Sequence, residues 1–494
     1  MLAPGDLFIL LVYLAGTAAL GIWVGRGHRS ADGFMSAGRN VPGWAVGLSI
    51  VGTYVSSISF LALPSKAFAS DWNPFVFSIT LPLTTLVAVK YFVPFYRAAG
   101  ALSSYEHLEQ RFGPWARTYA VGCYLLTQLA RVGTILYLLA LALAPLTGLT
   151  IPTLIVFTGV VVLVYTLYGG MAAVIWTDVV QTIVLVGGTI ACVTVLLLQM
   201  PDGPWALFST AMDARKFSLG SYAPDISLST VWVVLLYGLF INLQNFGIDQ
   251  SFVQRYQTAR TDAAARRSVW VGALLYVPIS AAFLFIGTGL FAFYRAQPDL
   301  LPAGAAALPD SVFPYFIATQ LPTGLAGLVI AAVFAAAQST ISSSINCAAT
   351  LTLCDVYTRY VRPQPAERER LLVLRASSLL FGVAGILMAL AMMSIKSALD
   401  AWWQLASIFS GGMLGLFLLG LMSKRARNGH AALGVLVGVA AIVWMTFSPG
   451  WTGAFTFWRS PFHPNLIIVI GTTVILVVGL AAARLRPGYR REQG

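Results

Sequence analysis

Charge is scarce in this sequence. Asp, Glu, Lys and Arg make up 10% of its 494 residues, against about 25% in a soluble globular domain. No polar stretch is long enough to fold alone, so a separate soluble domain is excluded. Cysteine and histidine are also sparse, with four of each. Cys123, Cys192, Cys347 and Cys354 lie in or at the ends of apolar runs, at spacings that suggest neither a metal site nor a disulfide framework. His28, His107 and His430 fall in loops on one side and His463 on the other, with no His/Cys/carboxylate cluster for metal or nucleophilic catalysis. A G-x-x-x-x-G-K-[ST] phosphate loop is missing, which leaves ATP-driven transport without an energy source. The chain is therefore not expected to be an enzyme.

What is abundant is apolar sequence, at 58% of residues. The runs are long enough to cross a bilayer, which takes about 20 residues each. They predict an all-α polytopic membrane protein with about thirteen spans: 6–24, 42–69, 75–97, 115–145, 151–168, 172–199, 228–248, 268–294, 311–354, 371–394, 399–421, 430–447 and 464–483. The first, Leu7 to Val24, has no basic region before it and no small-residue cleavage site after it, and reads as a retained helix. Of the thirty Lys and Arg, twenty-two fall on one set of alternate loops and five on the other. The richer set runs from Arg26, Arg29 and Arg39 through Arg255, Arg260, Arg266 and Arg267 to Arg490 and Arg491; the poorer holds Arg215, Lys216, Arg295, Lys396 and Arg459. This asymmetry places the N-terminus outside and the C-terminus in the cytoplasm. It also accounts for the net charge of +12, so no nucleic-acid partner is expected.

Polar residues inside spans are expensive in lipid and mark candidate sites. The run Gln338-Ser339-Thr340-Ile341-Ser342-Ser343-Ser344 puts five hydroxyls in one span, and Ala336, Ser339, Thr340, Ser342 and Ser343 share a broad helical face. Such a face offers uncharged oxygens to a hard cation such as Na⁺; close helix packing uses the same residues. In the second span Gly52, Val55, Ser56 and Ser59 share a face, and a glycine followed by hydroxyls suits a locally unwound helix whose freed carbonyls bind ions. Asn242, Gln244 and Asn245 crowd the seventh span and suggest a polar cavity. Arg131 lies mid-span, where its guanidinium can grip a carboxylate through two parallel hydrogen bonds or form an internal ion pair. Asp178, near the start of a span, either strengthens a cation site or caps a helix. Lys66 and Lys90 lie nearer span ends, where they can snorkel.

In combination these residues resemble the sodium:solute symporter family, most closely its bacterial sialic-acid transporters. The resemblance runs nearly end to end and is densest at Val41–Ala45, Ser56–Phe60, Ser70–Trp72, Val174–Asp178, Leu301–Gly304 and Phe334–Ser344. It implies a LeuT-like core of two inverted five-helix repeats, about 42–199 and 228–421, within a single transporter domain spanning 1–494. One extra N-terminal helix (6–24) and two C-terminal ones (430–447, 464–483) flank that core. It further implies a main sodium site made by carbonyls of Gly52, Val55 and Ala336 with the hydroxyls of Ser339 and Thr340. A second sodium site would use Asp178, Ser342 and Ser343 and share Ser339. For substrate, Arg131 matches the arginine that binds the sialic-acid carboxylate, and Ser56 and Ser59 match hydroxyl positions beside it. Tyr54, Pro74 and Ser78 depart from the pattern where a threonine, an aromatic residue and a glutamine are usual.

The expected function is Na⁺-coupled import of an acidic sugar, most closely a sialic acid, across a bacterial inner membrane by alternating access. Substrate contacts are expected from Tyr54, Ser56, Ser59, Ser78, Arg131, Asn242 and Gln244. The expected partners are that small molecule, Na⁺ and membrane lipid, with no obligate protein partner. Another monocarboxylate, a neutral sugar or an amino acid is the alternative cargo. A sensor or channel fits less well: the polar tail after Leu485 is too short for an output domain, and the polar helix breaks are isolated.

Overall fold

Apolar runs that lipid cannot hydrogen-bond must satisfy their peptide groups internally, as helices. Helices accordingly dominate this computed structural model, which describes residues 3–27, 30–302, 304, 308–394 and 398–485, with backbone alone for 398–409 and 454. Arg29, Lys396, Arg490 and Arg491 of the topology argument, His28, and Ala303 of the Leu301–Gly304 motif lie outside these described residues.

The first helix is α1 (Pro4–Gly25). The second expected span is broken into α2 (Gly43–Tyr54) and α3 (Ser57–Ala69), bent by 58° at Val55 and Ser56. Next come α4 (Phe75–Ala99), with a π-helical segment at Ala88–Phe92, and α5 (Pro114–Thr147). The spans expected at 151–168 and 172–199 join in α6 (Ile151–Leu198). Its 48 residues are too many for one crossing. The backbone leaves helical geometry at Gly170 (φ 55°, ψ −151°), where a Cβ would also meet the Phe34 carbonyl at 2.6 Å. Beyond it, α7 (Val231–Ile248) and α8 (Gln250–Thr258) are separated by Asp249 alone, and α9 (Asp262–Ala296) follows.

The span expected at 311–354 is not one helix. It divides into α10 (Pro309–Thr319) and α11 (Leu325–Leu351), because Pro322 cannot donate a backbone hydrogen bond and Gly324 takes φ 93°. The chain closes with α12 (Glu367–Met392), α13 (Ala398–Met422), α14 (Asn428–Phe447) and α15 (Leu466–Leu485). Among the described residues, ten helices are long and apolar enough to cross a membrane, and the bent α2–α3 pair makes an eleventh.

The hydroxyl-rich α11 runs through the interior, packed on α6 and α1, with every residue from Val329 to Leu351 buried. Its N-terminus is capped by the extra helix. The buried Asp6 carboxylate accepts from the backbone N–H of Gly324 (2.6 Å) and Gly327 (2.9 Å). Two turns further along α1, Tyr13 Oη donates to Gln338 Oε1 at 2.8 Å. Asp6 therefore satisfies two orphan donors at a positive helix end. Asp6→Ala should cost about 2–3 kcal/mol, the worth of hydrogen bonds to a charged group. A thermal melt in detergent checks this, and Asp6→Asn, which keeps an acceptor oxygen, should recover most of the loss.

Candidate functional site

The two helix breaks face each other. At the first, the turn after Tyr54 leaves the carbonyls of Gly52, Tyr54 and Val55 without a backbone donor among the described residues, while the Val55 N–H still reaches Val51 O at 2.9 Å. The second helix restarts at once because Ser56 caps it, its hydroxyl accepting from Ser59 N–H at 3.3 Å. At the second break Asp249 does the same work: its carboxylate accepts from Ser251 N–H at 2.7 Å and starts α8. The Tyr54 ring ties the breaks together, lying 5.7 Å from Phe246 and 4.9 Å from Phe252 between ring centres. Tyr54 Oη donates to Asn242 Oδ1 at 3.2 Å.

Behind the first break lies the hydroxyl face of α11. A Cβ on Gly52 would stand 2.7 Å from Ser339 Oγ, so only glycine lets α2 approach α11 this closely. Ser339 Oγ donates to Asp178 Oδ1 at 2.6 Å, Thr340 Oγ1 to Ala336 O at 3.2 Å and Ser342 Oγ to Ser339 O at 3.2 Å. The residues expected to hold two cations are thus gathered, with Ser339 between the two groups. A further member is hidden in the span pattern. Arg255, counted there among loop cations, is fully buried. Its Nη2 donates to Asp178 Oδ2 (2.8 Å) and Ser343 Oγ (2.7 Å), its Nε to Ser49 Oγ (2.7 Å) and its Nη1 to Ser251 O (2.6 Å). Asp178 is therefore neither a helix cap nor a lone carboxylate. It is half of a buried, fully hydrogen-bonded ion pair.

On the other side of the breaks is a cavity of about 670 Å³. Tyr54, Ser59, Ser78 and Arg131 line it, as do Thr53, Phe77, Asn245 and Tyr276. Among the described residues Arg131 makes one hydrogen bond, from Nη2 to Thr53 O at 3.4 Å. No carboxylate among the described residues lies within ion-pair distance of it. Asp249 attracts it from further away. Three expected contacts do not line the cavity. Ser56 is occupied as the α3 cap. Asn242 is used up structurally, its Oδ1 accepting from Tyr54 and its Nδ2 donating to Thr80 Oγ1 at 3.0 Å. Gln244 is buried away from the cavity. Helical spacing explains the exchange: Asn245 follows Gln244 by about 100°, and it is the amide that reaches the cavity. The cavity opens past Lys66, Asp71, Ser221, Ser229 and His463 toward the face opposite the arginine-rich loops.

A broken membrane span and a second helix break meeting at a cavity that holds an arginine, backed by a hydroxyl-lined helix, are the features of a secondary transporter. The chain belongs to the sodium:solute symporter family, whose sequence profile matches residues 34–438. It is 36% identical to the sodium/sialic acid symporter SiaT of Proteus mirabilis, over 88% of each chain. It is 33% identical to the sodium/sialic acid symporter NanT of Aliivibrio fischeri, over 96% of this chain and 92% of that one. The solved outward-open, substrate-bound structure of a Na⁺-coupled sialic acid symporter matches with a TM-score of 0.91, 32% identity and 98% coverage of both chains. The nucleobase-cation symporter Mhp1 shares the fold alone, at a TM-score of 0.57 and 18% identity.

Proposed function

We propose that this chain imports an acidic sugar, most closely a sialic acid, together with Na⁺ across a bacterial inner membrane, with its N-terminus outside and its C-terminus in the cytoplasm. The observation that carries the reading is Arg131: a permanently charged group in a cavity, bound to the protein by one long hydrogen bond and left with donors for a carboxylate. The similarity to two sialic acid symporters supports the choice of sugar acid. In this reading Arg131 takes the carboxylate, and Tyr54, Ser59, Ser78 and Asn245 meet the rest of the molecule. One Na⁺ sits among Gly52, Val55 and Ala336 carbonyls and the Ser339 and Thr340 hydroxyls. A second is held by Asp178, Ser342 and Ser343 with Ser339 shared. The repeats run about 42–199 and 228–421.

Coupling follows from where the ions sit. The main site joins the α2–α3 break to α11, so Na⁺ favours the arrangement that holds these elements together, and the same break lines the substrate cavity. Ion and substrate each favour one conformation and thereby each other's binding. Release follows when Na⁺ leaves into a low-sodium cytoplasm. A smaller monocarboxylate is the second reading, favoured by Pro74 and Ser78 at the cavity wall, which offer less to a polyhydroxyl chain than an aromatic ring and an amide would.

Uptake into proteoliposomes tests the proposal. Sialic acid should accumulate with an inward Na⁺ gradient and fall to the leak rate when choline replaces Na⁺. Flux indifferent to sodium would overturn the symport reading, and uptake of pyruvate in place of sialic acid would favour the second cargo.

A further inference from the structure

The cavity is longer than its arginine pocket. Along α3, Ser59 is at its base and Lys66 near its mouth, seven residues or about 10 Å further on. Lys66 is exposed, and no carboxylate among the described residues pairs with it. Asp71, the acid that also lines the mouth, is engaged elsewhere: its Oδ1 accepts from Asn73 N–H at 3.0 Å, and it faces Lys216. Lys216 is itself turned away, donating to the carbonyls of Phe68 (2.7 Å) and Ser70 (2.9 Å) at the end of α3.

Opposite Lys66, the loop before α15 contributes His463. That loop is pinned, with His463 N–H donating to Ile226 O at 2.8 Å. The ring is oriented as well. Its Nδ1 accepts from Asn465 N–H at 3.2 Å, so in the neutral imidazole the proton resides on Nε2. Burial and the neighbouring Lys66 ammonium hold His463 below the usual imidazole range. The mouth therefore presents one unpaired ammonium and one fixed N–H donor, beside a carboxylate already held by Asn73 N–H and drawn to Lys216.

We propose that Lys66 and His463 form a carboxylate-receiving subsite at the cavity mouth, which holds an acidic substrate before it moves on to Arg131. The inference rests on the acidic-substrate reading above. It adds a residue from the loop before α15 to substrate capture. An ammonium focused by low-dielectric cavity walls raises the encounter rate of an anion, and salt screens that effect.

The test is sialic-acid uptake at fixed Na⁺ with ionic strength varied by choline chloride. Wild-type KM should rise steeply with ionic strength. Lys66→Met should raise KM about five- to tenfold at low ionic strength, converge on wild type at high ionic strength, and leave kcat unchanged. Lys66→Arg should restore the salt dependence, and His463→Phe should raise KM about twofold. A Lys66→Met protein that follows wild type at every ionic strength overturns the subsite, as does one that loses kcat with KM fixed. A wild-type protein that takes up no acidic sugar at all, while still driving uptake of a neutral one with Na⁺, overturns the underlying reading instead.

Discussion

Arg131→Ala is expected to lower sialic-acid uptake at least a hundredfold. In the folded protein the guanidinium spends one hydrogen bond on Thr53 O, which leaves a bidentate pair for the carboxylate. Charge-assisted hydrogen bonds are worth about 1.5–3 kcal/mol each, and two of them correspond to a hundredfold or more at about 1.4 kcal/mol per factor of ten. Arg131→Lys keeps the charge but loses the fork, and should retain an intermediate rate. The loss should fall on acidic substrates. Na⁺ binding, read as sodium-dependent stabilisation of the detergent-solubilised protein, should persist, because among the described residues no expected sodium ligand is hydrogen-bonded to Arg131. Unchanged uptake in Arg131→Ala would remove the carboxylate assignment.

Arg255→Met is expected to have the largest effect on stability, a loss of about 3–5 kcal/mol without sodium. Removing one member of a buried ion pair leaves the other charged and unpaired. Asp178 would keep Ser49 and Ser339 as donors, which do not neutralise its charge. A cation beside that carboxylate then becomes its main compensation, so added Na⁺ should raise the melting midpoint of the variant far more than that of the wild type. Asp178→Asn should act oppositely, with a sodium response weaker than wild type and a Hill coefficient for Na⁺ nearer one. A midpoint in Arg255→Met that ignores Na⁺ would place the second ion elsewhere.

In the two-sodium arrangement proposed above, the pair would also keep the second ion exchangeable. Arg255 already satisfies much of the Asp178 field, so a second cation there would be held against a fixed guanidinium. Its release would then cost less than from a bare carboxylate. That suits an ion that must leave in every cycle.

The sites were legible in the sequence to different depths. Gly52 followed by Ser56 announced a broken helix, because a glycine and a capping serine are what such a break requires, and the 58° bend falls there. The hydroxyl run of α11 announced itself by its cost in lipid. Segment Gln250–Thr258 did not. Its polar composition and its place beyond an apolar span read as loop, yet every residue in it is buried. One signal was available: Asp249 directly after α7 is an N-cap residue and predicts another helix. The choice among Asn242, Gln244 and Asn245 turned on helix rotation, which composition does not record.

The sequence alone determined that the chain is embedded in lipid, that its second span breaks after Gly52, and which spans carry oxygen-bearing side chains. These are local properties, set by transfer free energy and backbone conformation over a few neighbouring residues. Tertiary structure decided the partnerships: Arg255 on Asp178, 77 positions apart, Asp6 on the end of α11, Asn245 in the cavity and Lys66 opposite His463. Each depends on how helices rotate and pack, and close packing fixes those angles through contacts between residues that hydropathy treats as independent.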